Sequence, residues 1–329
     1  GFLDLDRVEV LKGPQGTLNG RNAVGGLINY IPKRPGNEFG GYAKVRLGDF
    51  DLAHLQAAID IPLSDSVRTR IAVQSYDRDG WVYNVHTKNQ VDDRSQMDAR
   101  LSIDWDINDT TLLELTYQVN EGEDTRFNIG QIYCDKDPLM GCDPYTLGQM
   151  GQGSHSAGAF GGAFYLIANL IPAATYDMYQ GAYQIKDIDE VNHNIDPRHN
   201  QKFQFGQIKL SKELESGKIE AKVSYDQRDY YHHQDNEYNV GVAGLPGTLG
   251  AAGLPPIGFD ATFGFSPGSH MGQRQLQKYV TQPMQLEFAN VDQNVTQSEI
   301  TYISDLDGPV NFVVGWYDYG SAYRNDYLV

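Results

Sequence analysis

Two stretches concentrate side chains able to bind or ligate, residues 187–199 and 225–238. The second holds Tyr230, Tyr231, His232, His233, Asp235 and Glu237. Imidazole, phenol and carboxylate groups are ligands for iron and other transition metals, and aromatics line pockets for organic ligands. The competing reading is a solvated acidic loop, because long external loops collect such residues. Neither stretch sets out a resident metal site, and no cofactor is expected. Cys134 and Cys142 are the two cysteines, and so close and isolated a pair suggests a small disulfide-closed loop in an oxidising compartment. As a zinc site the pair lacks two further ligands. No enzyme is expected: the eight histidines are scattered, with no Ser-His-Asp order and no metalloprotease helix motif. The Gly-rich run at 13–26 is not a phosphate loop, since no Gly-Lys-Ser/Thr follows and the spacing is not GxGxxG.

Charge and hydropathy narrow the class. A net charge of -17 over 329 residues leaves no basic stripe to neutralise phosphates, which excludes nucleic acid as a partner. No stretch approaches the roughly 20 consecutive apolar residues of a transmembrane helix. The longest apolar patch, residues 164–172, is interrupted by Asn169. Gly1 in place of Met, and a last strand pattern still running at Val329, make both ends look cut.

The elements that must position these residues are strands. From Gly41 onward, segments alternate apolar and polar with period two. In residues 96–106, Met97, Ala99, Leu101, Ile103 and Trp105 share one face, and Asp98, Arg100, Ser102, Asp104 and Asp106 the other. Val67, Thr69, Ile71 and Val73 oppose Arg68, Arg70 and Gln74. Ile219, Ala221, Val223 and Tyr225 oppose Lys218, Glu220, Lys222 and Asp226. A soluble sandwich alternates too, but so uniformly charged a face suits a polar lumen with the other face against lipid. Strands are expected near 41–49, 51–61, 67–77, 94–106, 110–119, 200–212, 217–228, 293–304 and 309–319. Short Ser, Asn, Asp and Gly turns alternate with long connections after Asp77, Val119 and Arg228. That alternation is what an outer-membrane barrel shows.

Residues 7–35 differ in kind: RVEVLKGPQGTLNGRNAVGGLINYIPKRP. Arg7 to Leu11 and Leu27 to Ile31 read as short strands, with a turn at Gly13–Pro14. Gly13, Gly16, Gly20, Gly25 and Gly26 allow tight turns and close backbone approach. The stretch resembles the C-terminal signature of the plug in TonB-dependent outer-membrane receptors. Arg7, Glu9, Val10, Lys12, Gly13, Pro14, Gly20, Gly25, Gly26, Asn29, Lys33 and Arg34 match it, whereas Asn19 stands where the family usually has Tyr. Asp79-Gly80 and Leu306-Asp307-Gly308-Pro309 look like the early barrel of the siderophore-receptor branch.

The resemblance implies an all-β fold: a partial transmembrane antiparallel β-barrel, about nine of roughly 22 strands, with the C-terminal part of a plug. The division would be residues 1–37 for plug and 38–329 for barrel. It implies the outer membrane of a Gram-negative bacterium, contact with bilayer and lipopolysaccharide, and uptake of a scarce nutrient, a ferric siderophore above haem, cobalamin or an oligosaccharide. A passive porin or adhesin would have no use for the plug signature. The energising partner would be the TonB–ExbB–ExbD complex. Leu18, Asn19, Arg21 and Asn22 would form the plug tip near the external loops and, with Tyr230, Tyr231, His232 and His233, are the candidate ligand contacts. Residues 7–35 are expected against the charged face, with Arg7, Glu9 and Lys12 paired to charges of the wall.

Overall fold

The structure, a computed structural model, describes residues 3–15, 24–126, 135–137, 141–143, 187, 189–235 and 286–328. In chain order the strands are β1 (Leu5–Lys12), β2 (Gly26–Pro32), β3 (Gly40–Gly48), β4 (Leu52–Pro62), β5 (Val67–Arg78), β6 (Val82–Asn84), β7 (Gln90–Val91) and β8 (Arg94–Asn108). They continue as β9 (Thr111–Asp124), β10 (Asp135–Asp137), β11 (Gly141–Asp143), β12 (Glu190–Val191), β13 (Arg198–Leu214), β14 (Gly217–Asp235), β15 (Leu286–Ser304) and β16 (Val313–Leu328). β1 and β2 form an antiparallel hairpin, and β12, β6 and β7 a small three-stranded sheet. The dominant element is a nine-stranded sheet in the order β16-β15-β14-β13-β9-β8-β5-β4-β3. Every pairing in it is antiparallel. It is therefore a meander, and the nine strands read from the alternation are its nine members.

Short turns close one end. Ser64 Oγ accepts from the Val67 amide (3.1 Å), and Asn108 Oδ1 accepts from the Thr110 amide (3.1 Å), an Asx turn. Gly217 opens β14 at φ +142°, where an added Cβ would lie 2.1 Å from the Ile303 carbonyl oxygen. Only glycine fits there.

Burial decides what the sheet's two faces are. Arg70, Asp98, Arg100, Ser102, Asp104 and Asn120 are buried, while Leu101, Trp105, Ile208, Val223, Ile300 and Trp316 are exposed. This inverts the soluble rule, in which charge is almost never buried unless paired. The half-buried charges of the same face are also paired across strands: Arg68 with Asp106 (2.5 Å), Lys209 with Glu114 (3.4 Å) and Glu220 (3.2 Å), and Lys222 with Glu299 (2.7 Å). Lys209 and Lys222 are direct cross-strand partners, a destabilising match of like charges that these three glutamates offset. A polar, ion-paired inside and an apolar outside are the layout of a membrane barrel wall.

Two expectations need correction. β14 runs to Asp235 and not to residue 228, so Tyr230, Tyr231, His232 and His233 lie on a strand and not in a loop. β9, β15 and β16 are likewise longer than expected. Backbone pairing continues there although both faces have turned polar, and hydropathy alternation has no contrast left to register. The long connection after β5 also carries strands of its own, β6 and β7. The hairpin fits expectation closely, with Arg7 to Leu11 inside β1 and Leu27 to Ile31 inside β2.

Candidate functional site

The N-terminal segment meets the charged face at two points. At the first, Leu3 packs with Ala58 and Ala72, with Tyr42 beside them. The two small side chains of Ala58 and Ala72 let Leu3 lie close to the wall, and Asp4 follows it. Its carboxylate accepts from Arg70 Nε (2.7 Å) and Nη2 (2.8 Å), Arg100 Nη2 (3.1 Å) and Tyr42 OH (3.2 Å). Arg70 Nη1 also donates to Asp60 (2.5 Å), and Arg100 Nη1 to the Leu3 carbonyl (2.8 Å). Two carboxylates thus balance two guanidiniums in a buried cluster. Burial alone would raise the Asp4 carboxyl, but the hydrogen bonds and charge of Arg70, then Arg100 and Tyr42, hold it below its ordinary value. At the second point Arg34 reaches Asp104 and Glu114 (3.2 Å) of β8 and β9, and Thr116 Oγ1 (3.4 Å). Beside it the Gly36 amide donates to Asp60 (3.0 Å). Both contacts lie on the charged face, but residues 3–4 and 34–36 make them; the β1–β2 hairpin, the bulk of the segment expected there, packs against no strand of the nine-stranded sheet.

The wall partners are not the expected ones. Arg7 is exposed and pairs with its own strand neighbours, Asp6 (2.8 Å) and Glu9 (2.7 Å). Among the described residues neither Glu9 nor Lys12 makes an ion pair to the sheet. Alternation puts Arg7 and Glu9 on one side of β1 and Lys12 on the other, and the hairpin packs against no strand of the nine-stranded sheet from either side. Sequence reasoning missed Asp4, which precedes the signature. The one signal for it was the pair of arginines, Arg70 and Arg100, in need of a further acid. Of the signature glycines, Gly13 (φ +84°) donates its amide to the Gly25 carbonyl (3.3 Å), closing the hairpin neck after Lys12 and before Pro14. Gly26 sits at φ +142°, and a Cβ there would lie 2.5 Å from the Leu11 carbonyl oxygen. Asn29 pairs with Glu9 across the hairpin. Gly16, Leu18, Asn19, Gly20, Arg21 and Asn22 lie outside the described residues, as does the expected Cys134–Cys142 bridge.

At the far end of the sheet, alternation along β14 divides the four aromatic candidates. Tyr230 and His232 share the charged face with His199 of β13. The His199 and Tyr230 rings meet edge to face at 4.8 Å, and Tyr230 and His232 are parallel at 6.2 Å. His199 Nδ1 stands 3.6 Å from Asp124, which also receives Arg126 Nε (2.7 Å). Tyr231 and His233 point to the opposite face, where His233 stacks on Phe288 at 4.2 Å. Tyr230, His232, His199 and the Asp124–Arg126 pair therefore form one aromatic and charged surface, and Tyr231 and His233 are not part of it. Among the described residues, no three His, Cys, Asp or Glu side chains converge to hold a metal ion.

No protein-family model matches the sequence. Over 88 residues, 26% of this chain and 11% of the relative, it is 35% identical to the ferripyoverdine receptor of Pseudomonas aeruginosa. Over 64 residues, 20% of this chain and 10% of the relative, it is 34% identical to the pesticin receptor of Yersinia enterocolitica. The fold matches the ferric yersiniabactin uptake receptor of Yersinia pestis with a TM-score of 0.60 at 13% identity, covering 99% of this chain and 37% of that one. The chain thus spans well under half the length of its structural relative, and its matched segments about a tenth of the curated ones. Over these segments the sequence is thus similar to siderophore and pesticin receptors, and the meander, with its apolar outside and ion-paired inside, shares the fold of the ferric yersiniabactin uptake receptor.

Proposed function

We propose that this chain belongs to a protein that takes up a ferric siderophore across the outer membrane, with TonB, through the ExbB–ExbD complex, supplying the energy. Residues 1–37 act as the end of the plug and 38–329 as the first part of the barrel wall. The observation that carries the reading is the docking of the N-terminal segment onto the charged face through Asp4 and Arg34. A passive porin needs an open lumen, whereas here the wall is built to hold something inside it. Transport, with no bond made or broken in the cargo by this chain, fits a surface of paired charges and aromatics. The plug tip at Leu18, Asn19, Arg21 and Asn22 would meet the ligand from one side. Tyr230 and His232 would meet it from the wall. Tyr231 and His233, on the other face, would act through loop packing.

The test uses the intact receptor gene. A deletion strain starved of iron is supplied with a panel of radioiron-loaded siderophores, haem, cobalamin and oligosaccharides. Uptake of one ferric chelate that requires both this receptor and an intact TonB supports the reading. Iron-independent expression together with uptake of a non-iron ligand would replace the siderophore, and uptake unaffected by loss of TonB would end the importer reading.

A further inference from the structure

Among the described residues, the connection between β5 and β8 is fastened to the segment that precedes β13. Asn84, wholly buried at the end of β6, donates Nδ2 to the His193 carbonyl (3.2 Å) and to Asp196 (3.0 Å). Its Oδ1 accepts from the His193 amide (3.2 Å) and the His86 amide (3.2 Å). Thr87 (2.5 Å) and Asn89 (2.6 Å) donate to the same Asp196 carboxylate. β12 pairs in parallel with β6, and Val82, Val91 and Val191 bury themselves there beside Trp81. On the other side the Asn194 amide donates to Asp235 at the end of β14 (2.6 Å). In the sheet, β13 and β9 lie between β14 and β8. Residues 189–197 therefore form a strap across the outer ends of these strands, and His193 is its wholly buried centre.

We propose that His193 is an acid-operated latch: protonation of its imidazole unseats the strap from β6 and β14. Among the described residues, the strap's own Asp196 is the charged group that acts on it. From β14 comes Asp235, bonded to the next residue's amide, and the β6–β7 turn contributes the uncharged Asn84, Thr87 and Asn89. Lys88 turns away, its ammonium bonding the Val85 carbonyl (2.5 Å). Burial of the ring outweighs the attraction of Asp196 and pushes the imidazole down from 6.5 to about 4. The sign follows: seating is fully favoured above the free value of 6.5 and is lost as pH falls towards 4. Between pH 7 and pH 5 the strap's opening constant rises about twentyfold by linkage. Only the consequence for ligand access rests on the uptake reading.

The experiment measures amide exchange of residues 82–91 and 189–197 in the full-length receptor at pH 7 and pH 5, corrected for intrinsic exchange. About twentyfold more opening at pH 5 is expected, with His193→Asn abolishing the dependence. Exchange at the imidazole carbon of the wild-type protein reads the His193 titration directly and needs no variant. A titration near 6.5, or equal acid opening in His193→Asn, overturns the latch. Siderophore binding at the two pH values is scored separately, so a failed uptake reading is recognisable beside a latch upheld by exchange.

Discussion

Replacing Asp4 by Asn tests whether the N-terminal segment is anchored by charge. The perturbation is narrow, because Asp4 sits at φ +48°, a conformation that Asn tolerates well. In the wild type, Asp4 and Asp60 balance Arg70 and Arg100, and the Asp4, Arg70 and Arg100 side chains are all under 5% exposed. The substitution keeps the shape and removes one of two negative charges. Arg70 retains Asp60, but Arg100 is left with only the Leu3 and Asp4 carbonyls as charge-assisted partners. An uncompensated buried charge costs about 3–5 kcal/mol, whereas the exposed Arg7–Glu9 pair is screened by solvent and contributes little. The Lys33 amide, bonded to the Asp4 carbonyl (3.0 Å), reports the anchor. In the full-length receptor its exchange protection should fall at least about a hundredfold in Asp4→Asn, and less than about tenfold in Arg7→Gln. Adding Arg100→Gln to Asp4→Asn should restore part of the protection, since no unpaired charge then remains. A loss below tenfold in Asp4→Asn, or a double variant worse than the sum of the singles, would refute the charge-anchored tether.

Four further outcomes follow from the same geometry. The depressed Asp4 carboxyl contributes stability above its ordinary value of 3.8 that is lost as pH falls below it; Lys33 protection in the His193→Asn receptor should stay flat from pH 8 to 5 and fall only in stronger acid. Leu101→Arg, on the exposed apolar face, should cost about 2–4 kcal/mol of folding into lipid vesicles by denaturant titration, whereas Gln207→Arg on the charged face, opposite the uncharged Ser224 and Thr116, should cost less than about 1 kcal/mol. Equal costs would contradict the assignment of the faces. Gly217→Ala should slow or abolish folding of the barrel, read as heat-modifiable migration on gels, because the new Cβ meets the Ile303 carbonyl oxygen at 2.1 Å. Arg34→Ala, which strands Asp104 and Glu114 on the wall, should loosen residues 33–36 by about 1–3 kcal/mol in exchange while leaving the β1–β2 hairpin amides protected.

The sequence by itself determined the sheet. Alternation at period two set the nine strands and the membership of their faces, because side-chain direction in a strand follows from position parity alone. The hairpin was equally legible, since Gly13 and Gly26 occupy conformations that few other residues adopt. Strand ends were not legible where both faces became polar, as in β14 beyond residue 228. Tertiary structure decided which residues do the holding. Arg7, Glu9 and Lys12 looked like the wall contacts because they are the charges of the signature, yet their hairpin stands off the sheet and Asp4 and Arg34 take that role. The four aromatic and histidine candidates are contiguous in sequence, and the pleat sends two to each face. His193 lies on a strap whose partners, Asn84 and Asp235, are far from it along the chain. Local sequence carries no information on which distant backbone will enclose a ring. The barrel wall, then, is a property of local pattern, whereas the tether and the latch are properties of long-range packing.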